Sequence, residues 1–229
     1  MLEAINLTKQ YGQQVALNGL NLSVGAGEVY CLLGQNGAGK TTTINLFLGL
    51  LKPDGGKALI DGVEVGAGNT NELIAYIPEI VQLYGNMTGL ENLDFFSRLA
   101  GHKHDRAFLS QLLLKAGLKE NDHQKKLSSY SKGMRQKVGI AIALSKKAKV
   151  IFMDEPTSGL DPKATDEFTK ICKELAQDGN SIFMATHDIF NAVNVGTRIG
   201  IMKEGNLVHS AETNSVSALE LQELYLKTI

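Results

Sequence analysis

A glycine-rich segment that ends in a lysine and a threonine is the first part of the chain whose residue types predict chemistry. It reads Gly34-Gln35-Asn36-Gly37-Ala38-Gly39-Lys40-Thr41 and fits the pattern GxxxxGK[ST]. Glycines let backbone N–H groups close around a polyphosphate, the lysine adds a positive charge, and the threonine hydroxyl can bind Mg²⁺. The predicted phosphate-binding residues are Gly34, Asn36, Gly37, Ala38, Gly39, Lys40, Thr41 and Thr42.

Two adjacent carboxylates form the second chemical feature. Asp154 and Glu155 follow four apolar residues, Val150 to Met153, so they stand at the end of a predicted buried strand. There Asp154 can hold Mg²⁺ through water while Glu155 points at an attacking water. With Lys40 and Thr41, this pattern predicts hydrolysis of a nucleotide's terminal phosphate.

Three segments resemble motifs of the ABC ATPase family. The residues from Met153 to Pro162 look like the extended Walker B motif and D-loop, and Thr186-His187-Asp188 resembles the H-loop. The segment Tyr130-Ser131-Lys132-Gly133-Met134, here called the signature segment, resembles the ABC signature motif. It keeps the serine and the second glycine but has Tyr, Lys and Met where Leu, Gly and Gln are usual.

The resemblance implies a site shared by two chains. In the family, the serine and glycine that match Ser131 and Gly133 bind the γ-phosphate of the ATP held by the other subunit. Ser131 is also a predicted helix cap, so its hydroxyl, the Gly133 N–H and the positive helix end can converge on an anion. His187 matches a histidine that contacts the γ-phosphate, and Tyr11 matches an aromatic residue that stacks on adenine. A tyrosine ring stacks on either purine, so GTP stays open beside ATP.

One position departs from the family pattern where the metal is bound. In Tyr76-Ile77-Pro78-Glu79 the last residue is usually a glutamine that contacts Mg²⁺ or its water. Glu79 can accept a hydrogen bond from a metal-bound water, but it adds a negative charge near the phosphates. The predicted metal site is therefore Thr41, Asp154 and Glu79.

Composition excludes several classes. The chain has 229 residues with 23 basic and 24 acidic side chains, a net charge of −1, which argues against a nucleic-acid partner. The N-terminus has no basic flank before an apolar segment, so we expect no signal peptide. Apolar runs such as Val138 to Leu144 are far too short to span a bilayer. We expect a cytoplasmic protein that acts at a membrane only through another chain.

Periodicity and turn residues predict the elements that position these motifs. The first 25 or so residues alternate as antiparallel strands, and a helical insertion covers roughly residues 86–147. The other predicted elements are strands Glu28–Leu33, Val150–Met153, Ser181–Ala185 and Arg198–Met202, and helices Thr41–Leu51, Asp161–Asp178 and Ser217–Leu226. We predict an α/β fold: a P-loop (RecA-like), mostly parallel core with an N-terminal antiparallel β subdomain and an inserted α-helical subdomain, in one domain, 1–229.

The predicted function is the ATP-hydrolysing subunit of an ABC transporter. The resemblance implies a head-to-tail dimer, with a homodimer expected, and a separate integral-membrane permease that docks near residues 79–92. The chain would then lie on the cytoplasmic face of the inner (plasma) membrane. Its short length and its signature segment favour export over import.

Three alternatives belong to other classes. A soluble ABC ATPase acting on nucleic acid or ribosomes usually carries coiled-coil arms, zinc insertions or tandem ATPase domains, and this sequence has none of these. A regulatory module without turnover is disfavoured by Lys40, Asp154, Glu155 and His187, although Glu79 keeps it open. A GTPase is disfavoured because no guanine-reading NKxD segment occurs.

Overall fold

Strands and helices alternate along most of the chain in the computed structural model, which describes residues 1–228. The strands are β1 Leu2–Tyr11, β2 Gln14–Val24, β3 Val29–Gly34, β4 Gly55–Ile60, β5 Val63–Glu64, β6 Ile74–Ile77, β7 Val150–Asp154, β8 Ser181–Thr186, β9 Arg198–Lys203 and β10 Asn206–Glu212. The helices are α1 Lys40–Phe47, α2 Thr70–Leu73, α3 Gly89–Leu99, α4 Arg106–Lys115, α5 Lys132–Ser145, α6 Pro162–Gln177, α7 Ile189–Val195 and α8 Ala218–Thr228.

The larger sheet positions the predicted chemistry. Its strand order is β10-β9-β3-β8-β7-β6, with β10 antiparallel to β9 and the other pairs parallel. Every residue of β3 and β8 is buried, as expected for strands covered on both faces. Because β3, β8 and β7 are parallel neighbours, their carboxyl ends meet at one edge of the sheet. The segments that begin at Gly34, Asp154 and His187 leave the sheet there.

The smaller sheet is antiparallel, in the order β2-β1-β4-β5. Alternate residues of its first two strands, such as Leu2, Ala4 and Leu20, enter a core shared with one face of the larger sheet. The predicted fold class, a mostly parallel core with an N-terminal antiparallel subdomain and inserted helices, is confirmed. The sequence did not predict β4, β5, β6 or β10; β4 begins with two glycines, Gly55 and Gly56, and glycine is uncommon in strands.

The first helix ends earlier than predicted. The sequence predicted Thr41–Leu51, but α1 ends at Phe47. The cause is Gly49, whose φ of +72° is a left-handed conformation that favours glycine. The Gly49 N–H donates to Leu46 O and the Leu50 N–H donates to Asn45 O, the paired bonds of a Schellman C-terminus.

The inserted helices α3, α4 and α5 begin at side-chain caps. The Thr88 hydroxyl accepts from the Glu91 N–H at 3.1 Å and the Glu91 carboxylate accepts from the Thr88 N–H at 2.7 Å, which completes a capping box. Asp105 and Ser131 cap the next two helices. These helices share a continuous core with the other face of the larger sheet.

The two later helices also begin where the sequence predicted. Asp161 caps α6, and the first residue of this helix is Pro162. Proline has no backbone N–H, but an N–H at this position would have no hydrogen-bond partner within the helix. Ser217 and Glu220 exchange side-chain and backbone hydrogen bonds at the start of α8. Within residues 1–228, no helix has both the length and the apolar composition that a membrane span needs.

Candidate functional site

The three predicted catalytic residues meet at the sheet edge. Lys40 is buried at the start of α1, where its Nζ donates to Gly34 O at 2.7 Å and lies 3.6 Å from Glu155 Oε1. The other carboxylate oxygen, Oε2, lies 2.8 Å from His187 Nδ1. One carboxylate therefore joins the phosphate-loop lysine to the histidine, and these residues follow three adjacent strands.

Glu155 holds a backbone conformation that non-glycine residues seldom adopt. Its φ is +45°, and its N–H donates to Ala185 O at 2.9 Å, which ties it to the neighbouring strand. The His187 N–H donates to Glu155 Oε2 at 3.3 Å. Such conformations cost of order 1–3 kcal/mol and persist where surrounding contacts hold them. These contacts aim the carboxylate at the space in front of the phosphate loop.

The phosphate loop needs glycine for steric reasons at its last turn. Gly39 has a φ of +108°, and a Cβ at this position would lie 2.5 Å from Ala16 O. Gly39 also precedes α1 without any side-chain cap, so the first N–H groups of that helix face the loop. A helix N-terminus with backbone N–H groups directed into a loop is suited to bind phosphate.

An open groove of about 280 Å³ runs along the phosphate loop. Tyr11, with 47% of its surface exposed, lines its rim. Gly34 and Ala38, two of the predicted phosphate-binding residues, are buried and are not among the residues that line this groove. The residues that line the groove are Tyr11, Gln14, Ala16, Gln35, Asn36, Gly37, Gly39, Lys40, Thr41 and Thr42.

Two predicted metal ligands are in contact. The Thr41 hydroxyl donates to Asp154 Oδ2 at 3.0 Å. Burial raises the pKa of Asp154; the Thr41 hydrogen bond opposes this rise, and the negative charges of Glu155 and Glu79 add to it. No group of three or more His, Cys, Asp or Glu side chains within residues 1–228 could hold a metal. Mg²⁺ is usually held by one or two carboxylates together with substrate phosphates, so the oxygen donors Thr41 and Asp154 fit it.

The third predicted metal ligand, Glu79, has protein partners. Its Oε1 accepts from the Ser158 hydroxyl at 3.0 Å and lies 3.7 Å from Lys132 Nζ. The sequence marked Lys132 only as a departure from the signature motif, where glycine is usual, and it gave no indication that Lys132 or Ser158 contacts Glu79.

Ser131 and Gly133 lie away from the groove of this chain. The Ser131 hydroxyl accepts from the Met134 N–H at 3.3 Å and thereby caps α5, as predicted. Neither residue is among those that line the phosphate-loop groove. The predicted nucleotide-binding residues thus form two separate groups in one chain.

Comparison with known proteins decides the family. The family model described as "ABC transporter" matches residues 17–158, more than half of the chain. The chain belongs to the ABC transporter family. The predicted family membership is confirmed, and so is the predicted activity, ATP hydrolysis coupled to transport.

Two curated relatives of this ABC ATPase are similar along most of its length. The bacitracin transport ATP-binding protein BcrA of Bacillus licheniformis is 36% identical over 212 residues, which are 91% of this chain and 68% of BcrA. The lantibiotic transport ATP-binding protein SrtF of Streptococcus pyogenes is 31% identical over 220 residues, 96% of this chain and 94% of SrtF. Both names describe transport, which agrees with the predicted class and not with the nucleic-acid alternative.

Solved ABC structures share the fold of this chain. The structure of cbiO1 from Clostridium perfringens superposes with a TM-score of 0.86 at 28% identity, covering 98% of this chain and 92% of cbiO1. The ATP-binding cassette MJ0796, a dimer in a post-hydrolysis state bound to ADP and Pi, superposes with a TM-score of 0.81 at 28% identity, covering 93% and 99%. The ABC ATPase therefore has relatives whose structures include a nucleotide-bound dimer.

Proposed function

We propose that two copies of this ABC ATPase form a head-to-tail dimer with ATP between them. The observation that carries the proposal is the separation of the nucleotide-binding residues into two groups. Tyr11 and the phosphate loop share one groove, whereas Ser131 and Gly133 lie outside it. A second copy in the opposite orientation supplies the missing group to each ATP. The MJ0796 cassette is a dimer bound to ADP and Pi, which supports the pairing of two copies.

Within each site, the cluster at the sheet edge carries out hydrolysis. Glu155 acts as general base for the attacking water, and His187 and Lys40 stabilise the charge on the γ-phosphate. Lys40 Nζ lies 3.6 Å from Glu155 Oε1. ATP phosphates compete with the carboxylate for this lysine, so nucleotide binding frees Glu155 to contact water.

Mg²⁺ is the proposed metal cofactor. Thr41 and Asp154 would hold it, and Glu79 would contact it through water. When bound, Mg²⁺ neutralises negative charge on the phosphates and orients them for in-line attack. The chain itself contributes a hydroxyl and a carboxylate that already lie 3.0 Å apart.

The proposed transport partner is an integral-membrane permease, with export as the direction. The names of similar proteins support a transport role, since two of them describe bacitracin and lantibiotic transport. A third relative, from Burkholderia orbicola, is named for Nod factor export; it is 35% identical over 94% of this chain and 72% of its own length. The permease would dock on exposed apolar side chains next to Glu79, here called the docking surface: Ile80, Tyr84 and Phe95. The chain would thereby lie at the cytoplasmic face of the inner membrane.

We also propose that residues 1–229 form one ABC ATP-binding domain. The core of the inserted helices is continuous with the core of the larger sheet, through residues such as Leu93 of α3, Val138 of α5 and Met153 of β7. A shared core makes separate folding of the helical part unfavourable.

The first test is light scattering of the Glu155→Gln protein with and without ATP. Replacing the base should block hydrolysis and hold the closed state, so the mass should double when ATP is added. Ser131→Arg in the same background should abolish the doubling, because it places a bulky side chain where the partner's ATP must bind.

A matched control uses another helix cap. Ser217→Arg removes the corresponding cap from α8, where the Ser217 hydroxyl accepts from the Glu220 N–H at 3.3 Å, and should leave the ATP-dependent doubling unchanged. A protein that binds ATP and stays monomeric would refute the homodimer. Equal loss of doubling in both arginine variants would refute the specific role of Ser131.

A further inference from the structure

Two residues that depart from the family pattern lie in contact with each other. Glu79 replaces the usual glutamine after β6, and Lys132 replaces the usual glycine at the start of α5. Their side chains form an ion pair, with 3.7 Å between Lys132 Nζ and Glu79 Oε1. The two departures are therefore one structural feature and not two unrelated substitutions.

Ser158, in the loop that follows β7, joins the same cluster. Its hydroxyl donates to Glu79 Oε1 at 3.0 Å, and its carbonyl oxygen accepts from Lys132 Nζ at 2.5 Å. The lysine thus bonds to the two segments that bring Glu79 and Glu155 to the site. A glycine at position 132 would make neither contact.

The backbone around Glu79 is held by the same helix that carries Lys132. The Gln136 amide donates to Pro78 O at 3.3 Å and to Glu79 O at 3.2 Å, and Gln136 is fully buried. Gln136 lies one helical turn after Lys132, so both residues project toward the loop of Glu79. These two hydrogen bonds hold the backbone of Glu79 close to α5, which reduces the conformational entropy lost when Glu79 and Lys132 form their ion pair.

The charge of Glu79 bears on the nucleotide site. Its hydrogen-bond partner Ser158 also donates a backbone N–H to Glu155 O at 3.1 Å, so the Glu79 carboxylate lies beside the loop that carries Glu155. A carboxylate in this place also repels the phosphates of ATP. The ammonium group of Lys132 offsets that repulsion where a glycine could not.

We propose that Lys132 is a positioning residue that neutralises Glu79 and makes a carboxylate at this position compatible with ATP binding. This inference rests on the proposed nucleotide site. Lys132 acts through Glu79 and Ser158 and needs no contact with ATP itself. The functional unit is the matched pair of charges, so the effect of changing one member depends on the identity of the other.

The test is a double-mutant cycle on the Kd for ATP, measured with EDTA so that no metal takes part. Lys132→Gln alone should raise Kd about fivefold, which corresponds to about 1 kcal/mol, the upper range for a partly exposed ion pair. In a Glu79→Gln background, Lys132→Gln should change Kd less than about twofold.

Two control variants separate charge from structure. Lys132→Arg keeps the positive charge and should keep Kd within about twofold of the wild type. Lys137→Gln removes another lysine of α5, whose Nζ lies 2.6 Å from Glu167 Oε2, and should leave Kd unchanged. Equal effects of Lys132→Gln in both backgrounds would overturn the inference. A wild-type protein that binds no ATP would overturn the proposed function as well, so the two failures are distinguishable.

Discussion

At the scale of single residues, the proposed site uses residues that also have a structural role inside the chain. Lys40 closes its own loop through Gly34 O and pairs with Glu155. Ser131 caps α5 through the Met134 N–H. Gly133 differs from these residues, because nothing within the chain requires glycine there and its proposed role is toward the partner's ATP alone.

Gly133→Ala tests that difference. A Cβ at this position would lie 3.5 Å from Ala164 Cβ and 3.6 Å from Leu160 Cδ2, which are ordinary contacts. Alanine in a helix is more stable than glycine by about 0.5–1 kcal/mol, so the melting temperature of the monomer should rise. ATPase activity should fall at least about tenfold, because the methyl group would stand between the Gly133 N–H and the partner's ATP.

Gly139→Ala is the matched control on the same helix. Its Cβ would lie 3.5 Å from Val81 Cγ2, again an ordinary contact, and Gly139 has no proposed nucleotide contact. This variant should gain similar stability and keep its ATPase activity. Equal ATPase activity in the two alanine variants would contradict the proposed role of Gly133.

At the scale of elements, a set of buried hydrogen bonds, here called the bridge, joins the loop that follows β7 to α7, the helix that follows β8. Asn191 of α7 donates through Nδ2 to the Thr157 hydroxyl at 3.2 Å, and its Oδ1 accepts from the Thr169 hydroxyl of α6 at 2.9 Å. All three residues are buried. The bridge connects the loop of Glu155 with the helix that follows His187, so it helps to hold these two proposed catalytic residues in their relative positions.

Asn191→Ala should break this bridge and leave two buried threonine hydroxyls without partners. The expected cost is about 2 kcal/mol of unfolding free energy, because each buried polar group that loses its partner costs about 1–3 kcal/mol. The kcat for ATP should fall more than the Kd for ATP changes, since the phosphate loop stays intact. Urea unfolding and steady-state ATPase assays measure the two effects.

A control for this bridge lies on the same helix. Asn194 bonds to Lys173 at 3.3 Å on the exposed surface, and Asn194→Ala should change stability by less than about 0.5 kcal/mol. If Asn191→Ala unfolds the protein more easily but keeps the wild-type kcat, the bridge is structural only.

At the scale of the whole molecule, the larger sheet separates two hydrophobic cores. Residues of β3 alternate between them: Cys31 and Leu33 enter the core shared with the inserted helices, and Tyr30 and Leu32 enter the core shared with the smaller sheet. Because this sheet is rigid and packed on both faces, a structural change at its carboxyl edge, where the proposed nucleotide site lies, can be transmitted to α3 and the docking surface.

Tyr84→Ala tests the docking surface. Tyr84 is 49% exposed and contacts Phe95 edge to face, with ring centroids 5.1 Å apart. Loss of an exposed aromatic anchor in an interface typically costs 1 kcal/mol or more, so membrane association should weaken at least about fivefold. Flotation of membranes from cells that make the chain and its permease measures this, and ATP binding by the isolated chain should not change.

The control for docking is an exposed apolar residue far along the chain. Leu219 of α8 is 67% exposed, and Leu219→Ala should leave membrane association as in the wild type. Equal membrane association of the Tyr84→Ala and wild-type proteins would contradict the assignment of the docking surface.

The amino-acid sequence by itself determined the features that depend on neighbours a few residues apart. The helix starts at Ser131, Asp161 and Ser217 were predicted, because a helix cap bonds three residues ahead. The buried strands were predicted from continuous apolar runs, and the phosphate loop from its fixed spacing. The early end of α1 had a local signal too, Gly49, which the prediction overlooked.

Only the tertiary structure decided which distant segments meet. The sequence showed Glu79 and Lys132 as separate departures from a pattern, and nothing local placed them beside Ser158. The local sequence did not indicate that β4 pairs with β1 either, because β4 begins with two glycines and glycine is uncommon in strands. Contacts between segments dozens of residues apart depend on how sheets and helices pack, and that packing is set by the whole chain at once.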